Sequence, residues 1–207
     1  DFDGLNLTWE SLEGIVKHNG IITNIYPYHL EKYNRTHDLK LNLQPFLESQ
    51  IASISDDVAY NNHDVEDAIR ANLINLEQLN EINFFKKIIE NLKQHHKDIS
   101  EKQLVYQVLR NSMSNMINDI YITTKNNLDN NVQSINDIQQ KNNFIVSFSD
   151  QMKKDCNLIR EFLFTCVYNH NKLLKKRNFT KDVVISLFNY FKSNNNKLPI
   201  DWRNLDI

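Results

Sequence analysis

Segment 46–71 carries the pattern that most constrains how this chain folds. Asp56, Tyr60 and Asp64 are each four residues apart, a spacing that places them in one stripe along an α-helix, and Asp67 falls on the same stripe. The opposite side gathers the apolar residues of the segment, which are Leu47, Ile51, Ile54, Val58, Val65 and Ile69. The pattern predicts one long helix with a buried apolar side. Acidic helix faces are most often only solvated, but a phenol set between two carboxylates favours a binding site.

Capping signals predict that the rest of the chain is also helical. Thr8 is expected to cap a short helix that ends at Asn19 and Gly20, and Ser100 with Gln103 forms a capping box for a long helix. Further helices are predicted at 83–96, from Ser149 to about Leu174, and from Thr180 to about Phe191. Segments 21–45 and 126–143 are predicted to be irregular, and 144–148 is the one strand-like stretch.

The composition excludes several classes of protein. The chain has 41% hydrophobic and 24% charged residues, as globular rather than disordered proteins do. Its three glycines are Gly4, Gly14 and Gly20, so no glycine-rich loop after them can hold a phosphate, and a bound nucleotide must be held by side chains and metal. The net charge of −2 argues against nucleic-acid binding, and no segment is long and apolar enough to span a bilayer. Cys156 and Cys166 are expected to be free thiols, as in a cytoplasmic protein.

Two blocks of the sequence resemble one known family. Residues 55–70 read Ser-Asp-Asp-Val-Ala-Tyr-Asn-Asn-His-Asp-Val-Glu-Asp-Ala-Ile-Arg. They look like the last motif of the bacterial dGTPase-like deoxynucleoside triphosphate triphosphohydrolases, which are members of the HD superfamily. Within residues 5–20, Leu-Asn-Leu-Thr-Trp-Glu, Leu-Glu-Gly-Ile and Lys-His-Asn-Gly resemble the segment that precedes this motif. Weaker matches continue to Trp202, so the resemblance covers nearly the whole chain.

The resemblance implies roles for four residues. Asp56 matches the family's final metal ligand, and its carboxylate suits a divalent cation such as Mg²⁺ or Mn²⁺. Tyr60 and Asp64 match positions that contact the sugar of a bound deoxynucleotide, and Lys17 matches a lysine that contacts phosphate. The family's other metal ligands, an early His and a later His-Asp dyad, lie upstream of this motif. No catalytic residue is therefore expected within this chain.

The chain departs from the family pattern at the dyad. His63 and Asp64 are the only adjacent His-Asp pair, but they lie inside the final motif and lack the His-Asp-Leu-Gly-His type of surroundings. The sequence also begins with Asp1 in the middle of a recognisable block. We therefore expect an all-α fold that comprises the C-terminal part of an HD-domain helical core, at 1–80, and an associated helical domain, at 81–207.

The expected function is that of the C-terminal part of a metal-dependent hydrolase that cleaves a dNTP to deoxynucleoside and triphosphate. Without the missing N-terminal half, the isolated chain is expected to be inactive. The alternative is a non-catalytic helical interaction module, or the remnant of a split gene. The resemblance also implies a homo-oligomer, and we expect it in the cytoplasm. The net charge makes nucleic acid a disfavoured partner, and the absence of a long apolar segment argues against a membrane.

Other polar and aromatic side chains are expected to be structural or solvated. His18 and His63 are interpreted as supporting residues rather than metal ligands, and His95 and His96 as solvated. A basic helix end, which could contact nucleic acid but is better explained as a helix terminus, contains Lys172, Lys175, Lys176 and Arg177. Residues predicted to lie in the core or an interface are Phe162, Phe164, Phe188 and Phe191.

Overall fold

The computed structural model describes residues 4–23, 26–128 and 132–203, and its regular secondary structure is helical. The helices are α1 (Trp9–Lys17), α2 (Tyr28–Asn34), α3 (Leu47–Arg70), α4 (Leu76–Leu79), α5 (Asn83–His95), α6 (Glu101–Asn127), α7 (Ile135–Gln139), α8 (Asp150–Phe162) and α9 (Asn171–Ser193). A π-helical turn, Leu163–Tyr168, continues α8, and two 3₁₀ turns, Asn195–Lys197 and Ile200–Trp202, follow α9. No strand occurs among the described residues, which confirms the predicted all-α class.

The predicted helix starts are found where capping side chains satisfy the first free amides. Thr8 Oγ1 accepts a hydrogen bond from the Ser11 amide at the start of α1. At the start of α6, Ser100 and Gln103 form the reciprocal capping box that the sequence indicates. These helix starts were predictable because each cap involves residues only three positions apart.

The core lies where α3, α5, α6, α8 and the π-helical turn pack together. Val65 of α3, Phe85 of α5 and Met116 of α6 are completely removed from solvent. Buried residues on both sides of residue 80 belong to this one cluster. The division into domains at 1–80 and 81–207 stays a prediction, and the packing across it is continuous.

The apolar side of α3 is only partly as predicted. Val58 and Val65 are buried, but Ile51 is 51% exposed and its neighbour Gln50 is fully buried instead. The carboxamide of Gln50 explains this exchange. Its Oε1 accepts from the amides of Ile145 and Val146, at 2.8 and 3.1 Å, and its Nε2 donates to a carbonyl at the helix start.

The predicted strand at 144–148 is wrong, because side chains rather than a neighbouring strand satisfy its backbone. Gln50 takes two of its amides, and Asn127 donates to the carbonyl of Ile145 at 2.8 Å. Asp119 accepts from both the amide and the hydroxyl of Ser149, the residue that caps α8. The apolar stretch is therefore an irregular connection that side chains of α3 and α6 hold in place.

The predicted helix boundaries after α8 are also wrong. The helix expected to reach Leu174 changes to π-helical hydrogen bonding at Leu163 and ends at Tyr168. His170 then caps α9, its side chain accepting from the amide of Lys172, so Thr180 lies inside that helix instead of starting it. The start of α9 was mispredicted because its cap is a histidine, which is not among the usual capping residues.

Two segments predicted to be irregular contain short helices. Segment 21–45 includes α2, which begins directly after Pro27. Segment 126–143 includes α7, which Ser134 and Asp137 cap reciprocally; residues 129–131 lie outside the described part of the chain. Single helical turns of five to seven residues give too few positions for a periodic pattern to be recognised.

Candidate functional site

The polar stripe of α3 faces away from the core, as its spacing predicts. Asp56 and Asp67 are exposed, Tyr60 is 47% exposed and Asp64 is half-buried. The stripe follows from the burial of Val58 and Val65 on the opposite side of the helix, which fixes its rotation about its own axis. Three side chains that are four residues apart thus present two carboxylates and one phenol in a line.

Tyr168, the last residue of the π-helical turn, joins this stripe. Its hydroxyl donates to the carboxylate of Asp64 and lies 2.5 Å from the hydroxyl of Tyr60. A phenol has one proton and an ionised carboxylate only accepts, so the Tyr168 proton points to Asp64 and Tyr60 donates to the Tyr168 oxygen. Two phenols and one carboxylate therefore form a continuous chain of hydrogen bonds, which we call the tyrosine–aspartate cluster.

The surroundings of Tyr168 keep its phenol protonated. Burial, followed by the hydrogen bonds with Asp64 and Tyr60, raises the pKa of Tyr168 far above its usual value. The carbonyl of Tyr168 is bound by Arg177 of α9 at 3.1 Å, which braces the end of the π-helical turn. At neutral pH, Asp64 thus faces a fixed hydroxyl donor.

The sequence analysis did not identify Tyr168, and local spacing gives no signal for it. It lies 104 residues after Asp64, and only the packing of the π-helical turn against α3 brings the two together. The sequence gives one weak indication that Tyr168 has a polar partner: this residue, whose side chain has a polar tip, ends the apolar run that begins at Leu163. A π-helical turn, which frequently accompanies functional sites, becomes visible only in three dimensions.

A cleft of about 390 Å³ opens beside the cluster. Its lining includes Tyr60 and Tyr168 and, from α8, the guanidinium of Arg160. Arg160 pairs with Asp57 at 2.8 Å, and both side chains are about half exposed. Asp57 is thus engaged by Arg160 of α8, unlike the carboxylate of its neighbour Asp56.

Asp56 lies at a separate and larger groove of about 1100 Å³ between α1, α3 and α7. The groove has a mostly apolar lining that includes Ile15, Phe46 and Ile138. Within the described residues, the Asp56 carboxylate makes no hydrogen bond or ion pair, so its oxygens are open to a ligand.

The donor set tests whether a divalent metal fits here. A single carboxylate supplies the hard oxygen that such a cation prefers, but it is one ligand where several are needed. No group of three or more histidine, cysteine, aspartate or glutamate side chains able to hold a metal ion is found in the described part of the chain. Asp56 can supply one oxygen ligand, but the described residues do not form a complete metal site.

Lys17 lies in a different environment from the one expected of a phosphate contact. Its side chain is fully buried, 2.5 Å from a carboxylate oxygen of Glu13. Its ammonium also donates to the carbonyls of Lys40 and Leu43, at 3.0 and 2.9 Å, and approaches that of Gln44 at 3.4 Å. In this structure Lys17 ties residues 40–44 to α1, and binding a phosphate requires loss of these contacts.

The remaining histidines and cysteines are not assembled into a site. His63 is exposed and lies 3.8 Å from Glu66, and His18 hydrogen-bonds to the carbonyl of Ile15 in its own helix and to the adjacent Asn19. His95 and His96 are exposed, as predicted. Both thiols are free, and burial raises the pKa of Cys156 to about 11, which makes it unreactive.

The aromatic residues expected in a core or interface differ in their burial. Phe162 is partly buried and packs against the core cluster, as predicted. Phe164 and Phe188 are 61% and 66% exposed, so they do not lie in the core, and Phe191 is only partly buried. In α9 no described residue is fully buried, because this helix contacts mainly the π-helical turn and the 3₁₀ turn that follows it.

Comparison with known proteins gives two findings. Residues 146–205 match the model of a family described as the phosphohydrolase-associated domain. The chain is also similar to "deoxyguanosinetriphosphate triphosphohydrolase-like" proteins: 36% identical over 211 residues to that of Bartonella henselae, and 37% identical over 203 residues to that of Rickettsia typhi. The alignments cover 99% and 98% of this chain and 53% of each relative, so the chain spans about half the length of these relatives.

Proposed function

This chain is a relative of the deoxyguanosinetriphosphate triphosphohydrolase-like proteins over nearly its whole length, and we propose that it forms the C-terminal half of a dNTP triphosphohydrolase. The observation that carries the proposal is the tyrosine–aspartate cluster on the stripe that also bears Asp56. A relative of these proteins that had kept only their fold would not need a half-buried carboxylate linked by hydrogen bonds to two phenols.

The proposed role of the cluster is to bind the deoxyribose. Asp64 accepts a hydrogen bond from the sugar 3′-hydroxyl, and the half-exposed ring of Tyr60 packs against the sugar. A ring placed close to C2′ leaves no room for a 2′-hydroxyl, which disfavours ribonucleotides. The adjoining cleft of about 390 Å³ is lined by Tyr60 and by Tyr168, the hydrogen-bond partner of Asp64, and supports a nucleotide site beside the cluster.

Asp56 is proposed to hold a divalent cation together with ligands outside this chain. When bound, such a cation polarises the phosphate that water attacks. The role of Asp56 is to present an oxygen ligand about one helical turn from Tyr60 and about two turns from Asp64, which sets the distance between metal and deoxyribose. Lys17 remains a predicted phosphate contact, and its buried contacts favour a structural role.

The missing ligands require additional polypeptide, and the surface of the chain supports this. The chain exposes 15137 Å², about half as much again as the roughly 10,000 Å² expected of a compact monomer of its mass. The mostly apolar groove beside Asp56 lies open between α1, α3 and α7. We therefore place the upstream half, with its metal ligands, over this groove.

The exposed aromatic side chains of α9 suggest a second contact surface. Phe179, Val184 and Phe188 are 71%, 59% and 66% exposed, more than an isolated helix face normally tolerates. A homo-oligomer in which α9 is covered accounts for them. Phe188→Asp should then lower the mass found by sedimentation equilibrium, while the neighbouring Asn189→Asp should not.

The proposed role in nucleotide metabolism suggests where in the cell the protein acts. No helix of the described residues is long and apolar enough to cross a membrane, and we expect a cytoplasmic enzyme. The net charge of −2 does not favour nucleic acid as a partner.

The experiment is an assay of products and sugar recognition in the complete enzyme, meaning this chain together with the half that supplies the other metal ligands. dGTP should yield deoxyguanosine and intact triphosphate, separated by anion-exchange chromatography. Asp64→Asn should lower kcat/KM for every dNTP by a similar factor, roughly tenfold or more, because a charge-assisted hydrogen bond to the sugar is weakened. Pyrophosphate as the product, or a loss confined to one base, would refute the assignment.

The second candidate is a non-catalytic helical interaction module. The observation in its favour is that the described residues contain no complete metal site. The two candidates predict different results when the other half is added. If the chain is part of an enzyme, the mixture releases triphosphate. If it is an interaction module, the two halves bind each other but release no triphosphate.

A further inference from the structure

The hydroxyl of Tyr168 donates to one carboxylate oxygen of Asp64, the residue that the proposed function assigns to the sugar 3′-hydroxyl. Both donors are neutral hydroxyl groups that can donate to the same anionic acceptor. A side chain of the protein itself thus already engages one oxygen of this carboxylate.

We infer that Tyr168 competes with the sugar 3′-hydroxyl for Asp64 and so sets how strongly the site distinguishes nucleotides with and without that hydroxyl. The inference rests on the proposed function. It makes Tyr168 a positioning residue of the sugar subsite, supplied from the far end of the chain.

The geometry gives Tyr168 a fixed place from which to compete. Tyr60 donates to its oxygen from one side and Arg177 holds its backbone carbonyl. Burial, with the hydrogen bonds to Asp64 and Tyr60, raises the pKa of Tyr168 well above its usual value, so the phenol remains a donor at neutral pH. When the sugar hydroxyl takes Asp64, the phenol can keep its contact with Tyr60, so only one hydrogen bond has to be exchanged.

Competition by Tyr168 lowers the apparent affinity for a nucleotide that carries a 3′-hydroxyl and leaves the contacts of the rest of the nucleotide unchanged. A ligand that lacks the 3′-hydroxyl, such as ddGTP, leaves the Tyr168–Asp64 hydrogen bond intact. A ligand that has it, such as dGTP, must displace the phenol before it binds. Removing the phenol's hydroxyl therefore favours dGTP alone.

The test compares dissociation constants of dGTP and ddGTP for the complete enzyme, measured without divalent metal so that turnover does not intervene. Tyr168→Phe keeps the ring and removes the competing hydroxyl. The preference for dGTP over ddGTP should rise roughly tenfold, the value expected for a hydrogen bond to a charged group. Tyr121→Phe, in which an exposed ring on α6 loses its hydroxyl, should change neither constant.

The same measurement on Asp64→Asn separates failure of the competition from failure of the proposed function. Asp64→Asn should reduce the preference for dGTP; if it does not, Asp64 does not read the 3′-hydroxyl and the proposed function fails at this residue. If Asp64→Asn reduces the preference but Tyr168→Phe leaves it unchanged or lowers it, only the competition is refuted.

A measurement on the unchanged protein avoids any effect of substitution on folding. Loss of a carboxylate acceptor shifts the near-ultraviolet absorption of a phenol to shorter wavelength. dGTP should produce this tyrosine difference spectrum and ddGTP should not. Identical spectra with the two nucleotides would overturn the inference.

Discussion

The phenol of Tyr168 donates a hydrogen bond to the carboxylate of Asp64, although 104 residues separate them in the chain. The contact joins the end of the π-helical turn to the middle of α3 and places the second phenol, that of Tyr60, within 2.5 Å. It converts a stripe of polar residues on one helix into a two-element site. The predictions below follow from this arrangement and from the environments of Asp56 and Lys17.

Asp56→Ala should remove bound metal and activity from the complete enzyme and leave the fold intact. The carboxylate is exposed and makes no contact among the described residues, so its loss costs little stability. Loss of a metal ligand should lower kcat/KM by about a thousandfold, which corresponds to several kcal/mol of transition-state stabilisation. Metal content and steady-state rates check this, with Asp67→Ala, an exposed carboxylate on the same helix, as the control. Retention of both metal and turnover would show that Asp56 is not a ligand.

Tyr60→Ala should narrow the difference in kcat/KM between dGTP and GTP by roughly tenfold. The ring that fills the space next to C2′ is removed, so a 2′-hydroxyl no longer meets it. Tyr121→Ala removes an exposed ring from α6, far from the stripe in sequence, and should leave the ratio unchanged. An unaltered ratio in Tyr60→Ala would mean that this stripe does not exclude ribonucleotides.

Lys17→Met should destabilise the chain by about 3–5 kcal/mol, because it leaves the buried carboxylate of Glu13 without its partner. The carbonyls of Lys40 and Leu43 also lose their donor. Urea unfolding followed by circular dichroism measures the change, and Lys86→Met, at a half-exposed lysine of α5, is the matched control. If Lys17→Met were as stable as the control variant, the structural role of Lys17 would be refuted and its role as a phosphate contact favoured.

The sequence was sufficient for features that depend on near neighbours. The stripe on α3 and the caps at Thr8 and Ser100 each involve residues within one turn or a few turns, where helical geometry fixes their relation. Because the apolar side of α3 is buried, the stripe on its other side must face outward, and this can be predicted without knowing the rest of the fold.

Features that depend on distant side chains could not be predicted. Gln50 binds the amides of Ile145 and Val146 across more than ninety residues, and so converts an apolar, β-prone stretch into an irregular one and leaves Ile51 exposed. Tyr168 reaches Asp64 in the same way. In both cases a long-range hydrogen bond overrides the local preference, and a single sequence contains no signal for it.

The central claim, that this chain is half of a dNTP triphosphohydrolase, is tested most directly by measuring triphosphate release from dGTP before and after the other half is added. The chain purified alone, with Mg²⁺ or Mn²⁺, should release none, since it supplies a single metal ligand. Mixed or co-expressed with the upstream half that carries the His and His-Asp motifs, it should release triphosphate, and Asp56→Ala should abolish that release. Triphosphate release by the isolated chain, or none from the reassembled pair, would contradict the account.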